Sequence, residues 1–178
     1  IGAGPSGSLL AWILRQHGIE SIVLESRSRQ YVEGRIRAGV LEQGTVDMLI
    51  KAGVGERLKK ESMNHPGVCI GYKNQHFFLD FEKLIGRRVT VYGQQEITKD
   101  LLAALAAEEH NVLYDSPVTA IEDIEGDRPI VRYTHEGEDK ELTADFVAGC
   151  DGFHGVARQS IPADILKAHD LVYPFGWL

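Results

Sequence analysis

Apolar positions along the chain follow two rhythms, one near 3.6 residues and one of two, and the switches between them mark out the elements. Leu9, Leu10, Trp12, Ile13 and Leu14 give residues 8–17 a mostly helical spacing, and Gly18 stands where a glycine cap would end that helix. Residues 19–24 read as a short buried strand closing on Glu25, so that turn, helix and strand open a βαβ unit. A basic, glycine-spaced stretch over residues 31–40 follows, then a helix over 42–52 stopped by Gly53. Residues 68–72 and 76–81 read as two strands around a Lys73-Asn74-Gln75 turn, with a third at 89–92. Ile97, Leu101, Leu102 and Leu105 predict an amphipathic helix within 95–109. Strands are expected at 111–114, 118–124, 130–134 and 140–142, and a short buried one at 146–150 ending on Asp151-Gly152. The order is α/β: a Rossmann-like unit carrying inserted antiparallel strands.

Composition changes this picture little. With 178 residues, 43% hydrophobic and 25% charged, the chain is an ordinary globular sequence, long enough for one domain or one domain with pieces of another. No repeat or low-complexity run interrupts it. Charge matters more. A net charge of −7 turns the reading away from nucleic acid, and it obliges any anionic ligand to find local arginines or backbone donors. The two cysteines, Cys69 and Cys150, have no metal-ligand spacing; they read as small core residues in a reducing, cytoplasmic setting, with no metal site and no disulfide scaffold. No apolar run approaches the ~18 residues that span a bilayer, and no stretch reads as a signal peptide. The opening Ile1 and the apolar ending at Leu178 read as cut ends of a longer protein.

The strongest local motif is Gly2-Ala3-Gly4-Pro5-Ser6-Gly7, a GxGxxG turn opening a helix. Gly2 permits the tight turn, Gly4 lets backbone approach a pyrophosphate, and Gly7 lets the helix pack closely. The helix N-terminus adds free N–H groups and a positive dipole end. Glu25, at the end of the second strand, suits the ribose hydroxyls of FAD or NAD and repels a 2′-phosphate. Pattern alone leaves FAD and NAD both open. Arg35 and Arg37 read, on pattern alone, either as a solvated face or as partners of a dianionic linker.

Four blocks carry a resemblance over essentially the whole chain: Gly34 to Gly44, Val91 to Gln94, Cys150 to Pro162, and Val172 to Leu178. They resemble the single-component flavin-dependent aromatic hydroxylases, and within these the 4-hydroxybenzoate hydroxylases. The resemblance implies an FAD-binding domain over residues 1–66 and 93–168, with 67–92 as inserted strands of a substrate-domain sheet and 169–178 as that domain's start. It places Gly2, Gly4, Ser6, Gly7 and Glu25 along the diphosphate and adenosine of FAD. Arg35, the segment Arg37, Ala38, Gly39 and Val40, Gln94, and Asp151 with Gly152 would complete the cofactor site. Tyr31, Arg37, His154 and Arg158 would receive the NADPH or NADH co-substrate, and His65 would sit at the solvent end of a proton relay. Ser26 departs from the arginine of NADPH-using relatives, which leaves the choice of reductant open, with Arg27 and Arg29 as possible compensation.

The implied reaction converts 4-hydroxybenzoate to 3,4-dihydroxybenzoate with NAD(P)H and O2, in an enzyme expected to be a homodimer when full length. The substrate pocket itself would lie beyond Leu178, so the isolated chain is expected to be inactive. Two other readings share these motifs: a flavin hydroxylase of another phenol, and a dinucleotide-binding module without hydroxylase activity.

Overall fold

A computed structural model describes residues 1–176; Trp177 and Leu178, part of the expected start of a second domain, lie outside the described residues. The chain begins at the glycine turn and enters α1 (Pro5–Gln16), whose proline at the first position costs no helical hydrogen bond. Gly18 ends it in the left-handed region at φ 70°, with Ile19 N–H donating to the Leu14 carbonyl. β1 (Val23–Leu24), α2 (Arg29–Gly34), β2 (Val40–Glu42), α3 (Gln43–Lys51) and α4 (Glu56–Glu61) follow. Then come β3 (Met63–His65), the hairpin β4 (Gly67–Tyr72) and β5 (Gln75–Asp80), α5 (Phe81–Ile85), β6 (Val89–Val91) and α6 (Gln94–Ala107). β7 (Val112–Leu113), β8 (Val118–Glu122), β9 (Ile130–His135), β10 (Glu138–Thr143) and α7 (Val156–Gln159) complete the order.

Four small sheets result. β1 pairs in parallel with β7, and the meander β8-β9-β10 is antiparallel. β6 lies between β2 and β3, while β4 and β5 pair with each other. The hairpin turn falls on Lys73 and Asn74, both at positive φ (47° and 62°), the geometry that matches strand twist in a two-residue turn.

Two apolar clusters meet at Trp12. One gathers Val46, Leu49, Leu58, Tyr92, Ile97 and Leu101; the other gathers Ala3, Ala11, Val23, Leu102 and Leu105. The expected amphipathic face of α6 is therefore the centre of the core, with Leu101, Leu102 and Leu105 fully buried. Each such leucine contributes about 1.5–3 kcal/mol of burial. Trp12 satisfies its indole N–H on the Ala52 carbonyl at 2.7 Å, tying α1 to the end of α3.

The structure corrects several expectations. The fully buried positions of α1 are Gly7, Ser8 and Ala11, while Leu9 and Trp12 pack half-buried against the core and Leu10 is exposed. Residues 146–150 do not form a buried strand: Phe146 is 92% exposed. Their backbone bonds run to Ile1, which donates to Ala148 O and accepts from Cys150 N–H. Cys69 is exposed on the hairpin rather than a core residue. No helix is long and apolar enough to cross a membrane among the described residues.

Candidate functional site

The glycine turn, the end of β1 and the Asp151-Gly152 segment converge on one cleft of about 790 Å³. Backbone contact makes this convergence tight. Gly2 sits at φ 96°, and a Cβ there would lie 2.6 Å from the Cys150 carbonyl oxygen. A Cβ on Gly7 would run into the Gly2 carbonyl and approach the Cys150 side chain. Both positions therefore act as the sequence reading expects, one for the turn and one for close helix packing. Gly4 is different: a Cβ there would meet nothing within 4 Å, so its bareness leaves room at the cleft wall. The first N–H groups of α1 have no intrahelical acceptor and open beside it.

Glu25 is 8% exposed and is held by the protein itself. Its Oε2 accepts from Ala3 N–H at 2.8 Å, and its Oε1 accepts from Arg27 N–H at 2.8 Å and from the Ser26 hydroxyl at 3.3 Å. A solvated carboxylate at a strand end is thus ruled out. Oε1 is thereby filled by two donors, while Oε2 keeps a further lone pair for a hydroxyl donor.

Positive charge gathers on the same wall. The guanidinium groups of Arg27 and Arg35 lie 5.4 and 5.7 Å from the Tyr31 ring, which fixes both at the cleft. Ser28 caps α2 by accepting from Tyr31 N–H at 3.3 Å and so holds the ring in place. Arg37 joins them as a cleft residue. None of Arg27, Arg35 and Arg37 forms a salt bridge among the described residues. Three unpaired arginines facing one cleft, in a chain of net charge −7, match the demand of a diphosphate.

Asp151 closes the opposite side. One carboxylate oxygen accepts from Ala157 N–H at 2.9 Å at the start of α7, and Gly152 takes a φ of 82°. A side chain at Gly155 would occupy the space of that carboxylate, so Asp-Gly-x-x-Gly is one packed unit.

Of the expected site residues, the structure brings Gly2, Gly4, Ser6, Glu25, Tyr31, Arg35, Arg37, Gln94, Asp151, Gly152 and His154 to the cleft. Ala38, Gly39 and Val40 lead into β2 without lining it, although Gly39 O accepts from Tyr92 N–H at 2.8 Å beneath the Gln94 turn. Arg158 lines a second depression and stacks over Phe153 at 4.1 Å. His65 lies exposed on β3, away from the cleft. Cleft residues missed by sequence reasoning include Gln95, Thr98 and Val118. Thr98 was within reach, being one helical turn after Gln94 and donating to its carbonyl at 3.0 Å.

Beneath the cleft, Arg57 pins the first turns of α6. Its Nε donates to Asp100 at 2.7 Å, its Nη2 to Glu96 Oε2 at 2.5 Å and to Glu96 O at 3.1 Å, and Tyr92 donates to Asp100 at 2.8 Å. Burial, and then the bond to Asp100, hold the Tyr92 phenol above its ordinary range and keep it protonated.

The profile of the FAD binding domain family matches residues 1–178. The chain belongs to that family. The FAD-binding domain is 45% identical over 179 residues to p-hydroxybenzoate hydroxylase of Acinetobacter baylyi (strain ATCC 33305 / BD413 / ADP1), covering 100% of this chain and 44% of that protein. It is 24% identical over 183 residues to 3-(3-hydroxy-phenyl)propionate/3-hydroxycinnamic acid hydroxylase of Burkholderia cenocepacia (strain HI2424), covering 100% of this chain and 33% of that protein. The chain thus spans less than half the length of these relatives. Its fold matches p-nitrophenol 4-monooxygenase PnpA of Pseudomonas putida DLL-E4 with a TM-score of 0.79 at 22% identity, over 90% of this chain and 42% of that one. The residues present fit FAD: an open wall at Gly4, unpaired arginines for the diphosphate, and Glu25 for a ribose.

Proposed function

We propose that this FAD-binding domain is part of a flavin-dependent monooxygenase that converts 4-hydroxybenzoate to 3,4-dihydroxybenzoate with NAD(P)H and O2. The observation that carries the reading is the cleft where the glycine turn, the three unpaired arginines and Asp151 meet. The 45% identity to p-hydroxybenzoate hydroxylase supports the substrate. Bound FAD supplies the redox and oxygen-transfer chemistry.

The chain's own residues bind and orient. Arg35 and Arg27 neutralise the diphosphate, Ser6 and the α1 N-terminus donate to it, and Glu25 accepts from the adenosine ribose. Asp151 keeps one carboxylate oxygen for a cofactor hydroxyl while the other caps α7. Tyr31, Arg37 and His154 receive the reductant at the cleft mouth, with Arg158 acting from the neighbouring depression. His65 passes protons between solvent and the phenol through groups outside this chain. Residues 1–66 and 93–168 form the cofactor domain, and 67–92 with 169–178 belong to a substrate domain. The exposed Val68, Ile70, Phe77 and Leu79 of the hairpin support that division, since such a surface favours cover. The full protein is a cytoplasmic homodimer in this reading.

The test is oxidation of NADH and NADPH by the full-length protein in air, with and without 4-hydroxybenzoate, following product and peroxide. Stimulated oxidation with 3,4-dihydroxybenzoate formed is expected. Stimulation giving peroxide alone would assign a different phenol, and flavin binding without stimulation would sink the substrate assignment. His65→Ala should slow phenol deprotonation while leaving FAD affinity intact; equal loss of both would reject the relay role.

A further inference from the structure

Among the described residues, Gln95 Oε1 is a buried side-chain acceptor with no hydrogen-bond partner. Folded proteins seldom leave such an atom unpaired without a reason. Gln95 stands in the first turn of α6, next to Gln94, and lines the FAD cleft. Its amide is stowed over Gly93: a Cβ on that glycine would lie 2.6 Å from Nε2 and 2.8 Å from Oε1. The backbone of this turn is fixed. Tyr92 N–H donates to Gly39 O at 2.8 Å, the Tyr92 hydroxyl donates to Asp100, and Arg57 donates to Glu96 O at 3.1 Å. Any adjustment therefore falls to the Gln95 side chain, whose torsions move between staggered wells at small cost.

We propose that Gln95 is a cofactor-binding residue with two positions. At rest its amide lies over Gly93 with Oε1 unsatisfied. Engaged, it turns into the cleft and Oε1 accepts a hydrogen bond from FAD. The proposal rests on the FAD reading of the cleft. Chemistry narrows the partner, because ionised diphosphate oxygens only accept. The donor is a hydroxyl or an N–H of the nucleotide or flavin. Gly93 serves as the berth, and the unpaired acceptor makes the resting position the less satisfied of the two.

The test compares full-length wild type with Gln95→Leu and Gln95→Met, both of which fill the volume without an acceptor. FAD Kd is read by flavin fluorescence, and Tm is read on the FAD-free protein. The expected result is a Kd raised about tenfold, with apoprotein Tm equal or higher because a buried unpaired acceptor has gone. A Kd within about twofold of wild type would overturn the proposal. So would a raised Kd accompanied by a lower apoprotein Tm, which marks a purely structural role. Gly93→Ala fills the berth at an ordinary backbone conformation (φ −55°, ψ 134°), so FAD should bind as tightly or more tightly. Weaker binding in that variant would overturn the two-position scheme. A wild type that binds no FAD would instead reject the reading of the cleft.

Discussion

Glu25 reaches back from the end of β1 to the glycine turn, its Oε2 accepting from the Ala3 N–H at 2.8 Å. Ala3 is fully buried, so this carboxylate is the turn's internal anchor as well as the proposed ribose ligand. Glu25→Ala should therefore lower Tm and weaken FAD together. Leaving a buried N–H unpaired costs about 1–3 kcal/mol. Thermal melts with flavin titration check this; unchanged FAD affinity would remove the ribose role.

Arg35 has the opposite profile. It is exposed, forms no salt bridge among the described residues and stacks on Tyr31, so its charge does no work in the fold and is free for the proposed diphosphate. Arg35→Gln should raise the FAD Kd about tenfold with Tm of the apoprotein unchanged, and should reduce the salt dependence of binding. Titrations at two ionic strengths read both effects.

Ser26 lines the cleft between Glu25 and Arg27, its hydroxyl 3.3 Å from the Glu25 carboxylate. Ser26→Arg should shift the ratio of NADPH to NADH oxidation rates toward NADPH. No shift would leave the reductant to be chosen elsewhere.

His110 gives a pH signature. Burial, and then the nearby Arg15, hold its imidazole below the ordinary pKa in the folded chain. As pH falls through about 6.5 the unfolded chain takes up the proton first, so stability declines until the folded pKa is passed. His110→Gln should flatten that decline in Tm measured across the acid range.

The sequence made the glycine turn, α1, α3, α6 and the β4–β5 hairpin legible, because each pairs a clear period with a Gly or polar stop. α2 and α4 were hidden, being only six residues each and too short to show a period. β2 and β3 were hidden for another reason: they pair across β6 from distant parts of the chain, and three residues carry no alternation worth reading. Residues 146–150 look like a buried strand in composition, but burial depends on neighbours and not on the residues themselves. Most of the residues that line the cleft were legible through motifs. Gln95 was not, since only side-chain geometry distinguishes it from Gln94.

The close approach of Gly2 to Cys150 also sets an order of events. The two walls of the cleft are far apart in sequence, and the Ile1–Ala148 hydrogen bond joins residues 147 apart. Local helices can form as the chain emerges, but the diphosphate cradle gains its second wall only after the Asp151 segment has been synthesised. A nucleotide bound there would act as a clasp, fastening to each other two segments that lie far apart in sequence.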